Sequence, residues 1–106
     1  MTIKWIIPLD PRCEISPELI FVIQSWNPFE YSVTLRVKLN EDSHDITRID
    51  NIGKDDHRDQ FFLNSQPKKH LPIPISNIKS LNELKAIAIY LEKNWQRFYK
   101  IFTEGE

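Results

Sequence analysis

The run Tyr31-Ser32-Val33-Thr34-Leu35-Arg36-Val37-Lys38-Leu39-Asn40 alternates apolar and polar side chains without a break. Side chains of an extended strand point to opposite faces in turn, so Tyr31, Val33, Leu35, Val37 and Leu39 share a core face and Ser32, Thr34, Arg36 and Lys38 a polar one. A helix would scatter the same residues around its circumference. The acidic turn Asn40-Glu41-Asp42-Ser43 then returns His44 to Asn51 as the second arm of an antiparallel hairpin. Pairing Val33 with Ile49 and Leu35 with Thr47 puts Arg48 and Asp50 on the open face with Thr34 and Arg36. A one-residue slip would reverse this.

Upstream, Leu19-Ile20-Phe21-Val22-Ile23 is a short β-branched and aromatic run bounded by turn residues, which predicts a buried strand. Ile3 to Ile7 predicts another strand, closed by Pro8 and the turn pair Asp10-Pro11. Downstream, Ile52 to Gln60 reads as a loop and Phe61-Phe62-Leu63 as a short strand or buried anchor. The prolines Pro67, Pro72 and Pro74 make Pro67 to Ile75 an extended connection, at best an edge strand. Ser80-Leu81-Asn82-Glu83 has the form of a capping box. It opens a helix whose apolar positions Leu84, Ile87, Ala88, Leu91, Trp95, Phe98 and Phe102 recur at three and four. The expected fold is a single α+β domain over 1–106: an antiparallel sheet of about four to five strands packed on a long C-terminal helix. Leu35, Val37, Leu84, Leu91 and Trp95 are expected among its most buried residues.

The 106 residues, 41% of them hydrophobic, suffice for one modest core. A formal net charge of -1 provides no global basic field for nucleic acid or acidic membrane. A lone cysteine, Cys13, excludes an internal disulfide framework, and in its turn context a reactive role is not expected. Two glycines, Gly53 and Gly105, exclude a glycine-rich phosphate cradle. The apolar start at Ile3 to Ile7 is too short for a signal peptide or a membrane span, so a cytoplasmic location without membrane contact is expected.

Chemistry concentrates between Arg48 and Asp59. His57 leads the candidates because imidazole titrates near neutrality and can both accept and donate a proton. Asp56 and Asp59 flank it, and Asp50 lies at the preceding strand end; each could orient the ring. Arg48, Lys54 and Arg58, with Arg36 on the neighbouring strand, could hold phosphate. The plainer alternative for each is a solvated loop residue, and Asx pairs such as Asp50-Asn51 are common turn formers. Lys68-Lys69-His70 is a second basic cluster, which either brings a second imidazole to His57 or simply solvates a sheet edge. The acidic spacing matches no standard cation loop, and the histidines and cysteine lack paired zinc spacing. No metal and no cofactor are expected.

The pattern Arg48-x-Asp50-Asn51 followed by Gly53-Lys54-x-Asp56-His57-Arg58 resembles the central motif of the small TumE-like toxin family of bacterial toxin–antitoxin systems. There, a strand ends in Asp-Asn and a Gly-Lys-x-Asp-His-Arg-His-like loop follows. The resemblance covers about the last two-thirds of the chain. It departs at Asp59, where the toxin-like motif has His, so a paired imidazole would have to come from elsewhere, with His70 nearest in sequence. His57-Arg58-Asp59 ahead of a helix carrying Asn94-Trp95, Tyr99 and Phe102 also resembles an uncharacterised bacterial family.

Two functions lead at this point, ahead of a regulatory domain that binds a nucleotide or other small phosphate through the same Arg/Lys/His cluster. One is a toxin that cleaves RNA without metal, with His57, Asp50, Asp56 and His70 as the catalytic set and Arg48, Lys54, Arg58 and Arg36 binding phosphate. The other is a non-catalytic protein-interaction module of a toxin–antitoxin or defence complex, which the near-neutral charge favours. Expected partners are a cognate antitoxin protein and RNA, with strand 3–7 available for pairing to a second copy.

Overall fold

In the computed structural model, which describes residues 2–53, 55–64, 66–75 and 77–105, the chain forms six strands and one helix. The strands are β1 (Ile3–Pro8), β2 (Glu18–Trp26), β3 (Phe29–Leu39), β4 (Asp42–Asp50), β5 (His57–Gln60) and β6 (Lys69–Pro72); the helix α1 is Leu84–Glu104. They build one antiparallel sheet in the order β1-β2-β3-β4-β5-β6, each strand beside its neighbour in sequence. Such a meander needs only short connections.

The alternating run forms β3, the longest strand at 11 residues, and β4 pairs with it in the expected register: Val33 opposite Ile49, Leu35 opposite Thr47, Thr34 opposite Arg48. The turn is tighter than the sequence implied, because Leu39 pairs with Asp42 and only Asn40 and Glu41 lie between. Both take positive φ, 52° and 72°, which matches the twist of a two-residue hairpin. A bulge after Leu35 places Arg36 opposite Asp45, to which its Nε donates at 2.8 Å.

One face of the sheet carries the core: Leu19, Phe21 and Ile23 from β2, Tyr31, Val33, Leu35 and Val37 from β3, and Ile46 and Ile49 from β4. Over it lies α1, which buries Leu84, Ile87, Leu91, Phe98 and Phe102. Ser80 accepts the Glu83 N–H on its Oγ and donates to Glu83 Oε1, while its carbonyl accepts the first helical bond from Leu84. The Ser80–Glu83 pair thus closes the turn that leads into α1. At the other end the helix runs on to Glu104, and the Gly105 N–H donates to the Ile101 carbonyl. Trp95 is only partly buried, packed at the margin of the core, and corrects the expectation that placed it at the centre.

The sheet has more strands than expected because residues 57–60, read as loop, form β5. Its four residues His57, Arg58, Asp59 and Gln60 are all buried. Nothing in their local propensity announces a strand. They are held because β4 pairs on one side, Asp50 with His57 and Arg48 with Asp59, and β6 on the other, Asp59 with His70. Phe61-Phe62-Leu63 is irregular, tied to α1 by the Leu63 N–H on the Phe102 carbonyl. Pro67 to Ile75 does contribute an edge strand, β6. Among the described residues no helix is long and apolar enough to cross a membrane.

Candidate functional site

The face of the sheet opposite α1 carries a groove of about 530 Å³, lined by Gln24, Ser32, Arg48, Asp50, Ile52, His57, Asp59, Lys68 and His70. The period of two explains its membership. Arg48 and Asp50 alternate off β4, His57 and Asp59 off β5, and His70 off β6, all to the same side. Because β4, β5 and β6 are neighbours, residues separated by up to 22 positions in sequence meet across two rungs of the ladder.

Asp59 is the hub. Its Oδ1 lies 3.0 Å from His70 Nδ1, and its Oδ2 lies 3.4 Å from Lys68 Nζ, 3.7 Å from an Arg48 terminal nitrogen and 3.9 Å from His57 Nε2. Burial alone pushes this carboxyl up. The hydrogen bond from His70, the Lys68 ammonium and the charge of His57 together outweigh that and hold it below the usual carboxylate range. Asp59 is therefore an anion at neutral pH, fixed among cations.

The two imidazoles lie against each other, ring centres 4.2 Å apart. Nδ1 of His57 is 2.9 Å from the Asp55 carbonyl, which can only accept, so Nδ1 carries a proton and donates it. That leaves Nε2 facing Asp50 Oδ1 at 3.3 Å. Nε2 thus stands beside two carboxylates, with Arg48 and Lys68 supplying the neighbouring positive charge. His70 is arranged differently. Its Nδ1 meets Asp59, leaving Nε2 as the nitrogen available to a substrate, and half of the side chain is exposed. Arg48 Nε is buried 3.2 Å from Asp50 Oδ2 without completing a hydrogen bond to it.

Of the residues singled out from sequence, the fold brings Arg48, Asp50, His57 and His70 together. Three others lie elsewhere. Asp56 accepts from the Tyr31 hydroxyl at 2.6 Å and from the Asn77 N–H at 2.7 Å, pinning the connection into α1 to the core. The Tyr31 phenol is pushed far above its ordinary range by burial, then by the Asp56 hydrogen bond and the nearby carboxylates, so it serves as a permanent donor. Arg58 points to the opposite face of β5, where its guanidinium lies 4.0 Å over the Phe98 ring and donates to Gln60 Oε1 and Thr47 Oγ1. Arg36 is on the open face but beside Asp45, lining a separate hollow with Glu18 and Lys38. Lys54 lies outside the described residues.

Asn51, flagged with Asp50, is a structural residue. Its side chain accepts from the Tyr31 N–H and donates to the Phe29 carbonyl, extending the ladder on β3 past the end of β4. From sequence, Asp59 stands only as one group able to orient His57 and Lys68 only within a basic cluster, while Gln24 and Ser32, which also line the groove, are not singled out. For Asp59 the signal was available: His57-x-Asp59 is an i, i+2 pair, which a strand places on one face.

The chain belongs to the family described as a domain of unknown function (DUF7718), whose family model matches residues 2–106. No curated protein and no solved structure matches it.

Proposed function

We propose that this protein is a small toxin-type ribonuclease, in which the 2′-hydroxyl of RNA is the nucleophile and side chains manage the protons and charge. What carries the reading is the meeting of two imidazoles from neighbouring strands over one buried carboxylate, beside two cations, in an open groove. Asp59 holds the His70 ring by Nδ1, so Nε2 takes the 2′-hydroxyl proton as the oxygen attacks phosphorus. Arg48 and Lys68 offset the charge that develops on the phosphorane. The departing 5′-oxygen takes a proton from His57 acting as general acid, and a 2′,3′-cyclic phosphate results. Proton count and charge balance with no cofactor.

The test is incubation of the purified protein, freed of partners, with end-labelled RNA. A cyclic-phosphate product, abolished by a 2′-deoxy residue at the cut site and by His70→Ala, is the expected result. Loss of growth inhibition on induced expression of His57→Ala and His70→Ala would accord with a toxin held in check by an antitoxin protein. Intact RNA after prolonged incubation with folded protein would remove the enzymatic reading.

A second reading, a protein-interaction module of such a system, draws on β1. This edge strand exposes Ile3, Ile6 and Ile7. An edge with apolar side chains and unpaired backbone groups is suited to strand addition.

A further inference from the structure

The groove also has the makings of a metal centre, which goes beyond the ribonuclease reading and stands without it. His57, Asp59 and His70 each offer a ligand atom within 4.8 Å of the others. Three separations lie well inside that limit: 3.0 Å between His70 Nδ1 and Asp59 Oδ1, 3.9 Å between Asp59 Oδ2 and His57 Nε2, and 3.3 Å from that nitrogen to Asp50 Oδ1. Ligands bonded at about 2.0–2.1 Å in a tetrahedron lie roughly 3.3 Å from one another. These three separations bracket that spacing, and side-chain rotation would have to bring the two imidazoles onto one ion.

Two independent features point the same way. A metal-bound histidine usually donates its other ring N–H to a carbonyl or carboxylate, which fixes the tautomer. His57 does this through Nδ1 to the Asp55 carbonyl at 2.9 Å, aiming Nε2 at the cluster. The second is the donor set. Nε2 faces two carboxylate oxygens, Asp50 Oδ1 at 3.3 Å and Asp59 Oδ2 at 3.9 Å, so nitrogen and oxygen donors already stand together in the groove.

We infer that His57 Nε2, Asp59 and His70 Nδ1, with Asp50 as an oxygen donor, bind one divalent transition-metal ion of the zinc class. Two imidazoles with carboxylate oxygen suit Zn²⁺, Co²⁺ or Ni²⁺ and not Mg²⁺. Lys68 is the cation that must yield, and its side chain, 55% exposed, is free to swing outward. The ion would take the lone pairs that a proton shuttle needs, so metal binding and proton transfer exclude each other at this site.

The sequence obscured this because the ligands do not form a local motif. His57 and Asp59 sit on β5, and His70 comes from β6 directly opposite Asp59.

The experiment is a titration of chelator-treated, desalted full-length protein with Co²⁺, followed by its visible ligand-field bands, and with Zn²⁺, followed by calorimetry. One ion per chain, Co²⁺ bands of a four- or five-coordinate site, and no heat with Mg²⁺ are expected. His70→Ala, at an exposed position that leaves the fold intact by circular dichroism, should weaken binding by more than about a hundredfold, beyond the range of an outer-shell loss. Cys13→Ser and His44→Ala should bind as wild type does. Absence of binding, or binding that survives His70→Ala or disappears in Cys13→Ser or His44→Ala, overturns the assignment. None of these readouts depends on RNA cleavage, so the two proposals fail separately.

Discussion

The two faces of β5 are built from equally polar residues and have opposite fates. On one, Arg58 and Gln60 lie beneath α1: Gln60 is fully buried, donates to the Ile46 and Phe61 carbonyls and accepts from Arg58, whose guanidinium also rests on Phe98. On the other, His57 and Asp59 are nearly as buried yet open onto a groove, and their ionisable atoms face each other. Burial and polarity therefore do not separate structure from chemistry. The difference is the identity of the partner. Among the described contacts, Arg58 and Gln60 bond to a hydroxyl, to backbone carbonyls and to each other, none of which titrates near neutrality, and these bonds tie α1 to the sheet. His70 bonds to Asp59, and His57 lies against both, its ring centre 4.2 Å from that of His70 and its Nε2 3.9 Å from Asp59, so groups able to carry protons are gathered there.

The comparison can be broken most decisively at the groove. His70→Ala should lower RNA cleavage by about 10²- to 10⁴-fold with little change in melting temperature, because the ring is half exposed and contributes little packing. A rate change of less than tenfold would deny it the proton-carrying role.

Beneath the helix the effects should be on stability alone. Leu91→Ala, at a fully buried position, should cost about 2–5 kcal/mol in urea unfolding. Trp95→Ala should cost less than that, since the ring is only partly enclosed; an equal loss would restore Trp95 to the core. Arg58→Ala, which strips Gln60 Oε1 of its donor, should cost about 1–3 kcal/mol. Any cleavage or metal binding, measured per folded molecule, should be unchanged. A selective loss of activity would erase the distinction between the faces.

Asp59 sharpens the contrast through pH. Its folded carboxyl is held below the ordinary value of 3.8, so it contributes stability that is fully present above that pH and is lost as the pH falls through the lower folded value. Stability curves of wild type and Asp59→Asn should run parallel above about pH 4 and converge below it. Curves that stay parallel into acid would show that the carboxylate is not held by its neighbours. The smallest effect belongs to Arg36→Ala. Its ion pair with Asp45 is about a third exposed, worth roughly 0–1 kcal/mol, and remote from the groove, so both stability and groove chemistry should be nearly unchanged.

Long periodic segments were legible because their side chains reported their own surroundings. The alternation over Tyr31 to Leu39 is the imprint of a core on one side and water on the other, and it set the hairpin register, hence the common face of Arg48 and Asp50. The spacing of Leu84, Ile87, Leu91, Phe98 and Phe102 is the same imprint at helical period, and all five are buried. The sequence alone therefore determined the α+β class, the central hairpin and the helix over it.

Where residues are buried by their neighbours instead of by their own hydrophobicity, that imprint is missing. His57-Arg58-Asp59-Gln60 reads as solvated loop, yet pairing with β4 and β6 and the cover of Phe98 on one face make it a strand with no exposed member. Arg58 and Asp56 share the motif with His57, but one faces the helix and the other Tyr31, since adjacent residues diverge once the backbone is extended or turns. Conversely His70, 13 positions after His57, arrives beside it because β6 pairs with β5. Linear proximity nominated the residues, and only the pairing of β4, β5 and β6 selected which of them share a groove. Side-chain direction in a sheet is set by hydrogen-bonded register, a property of two strands at once that neither segment carries alone.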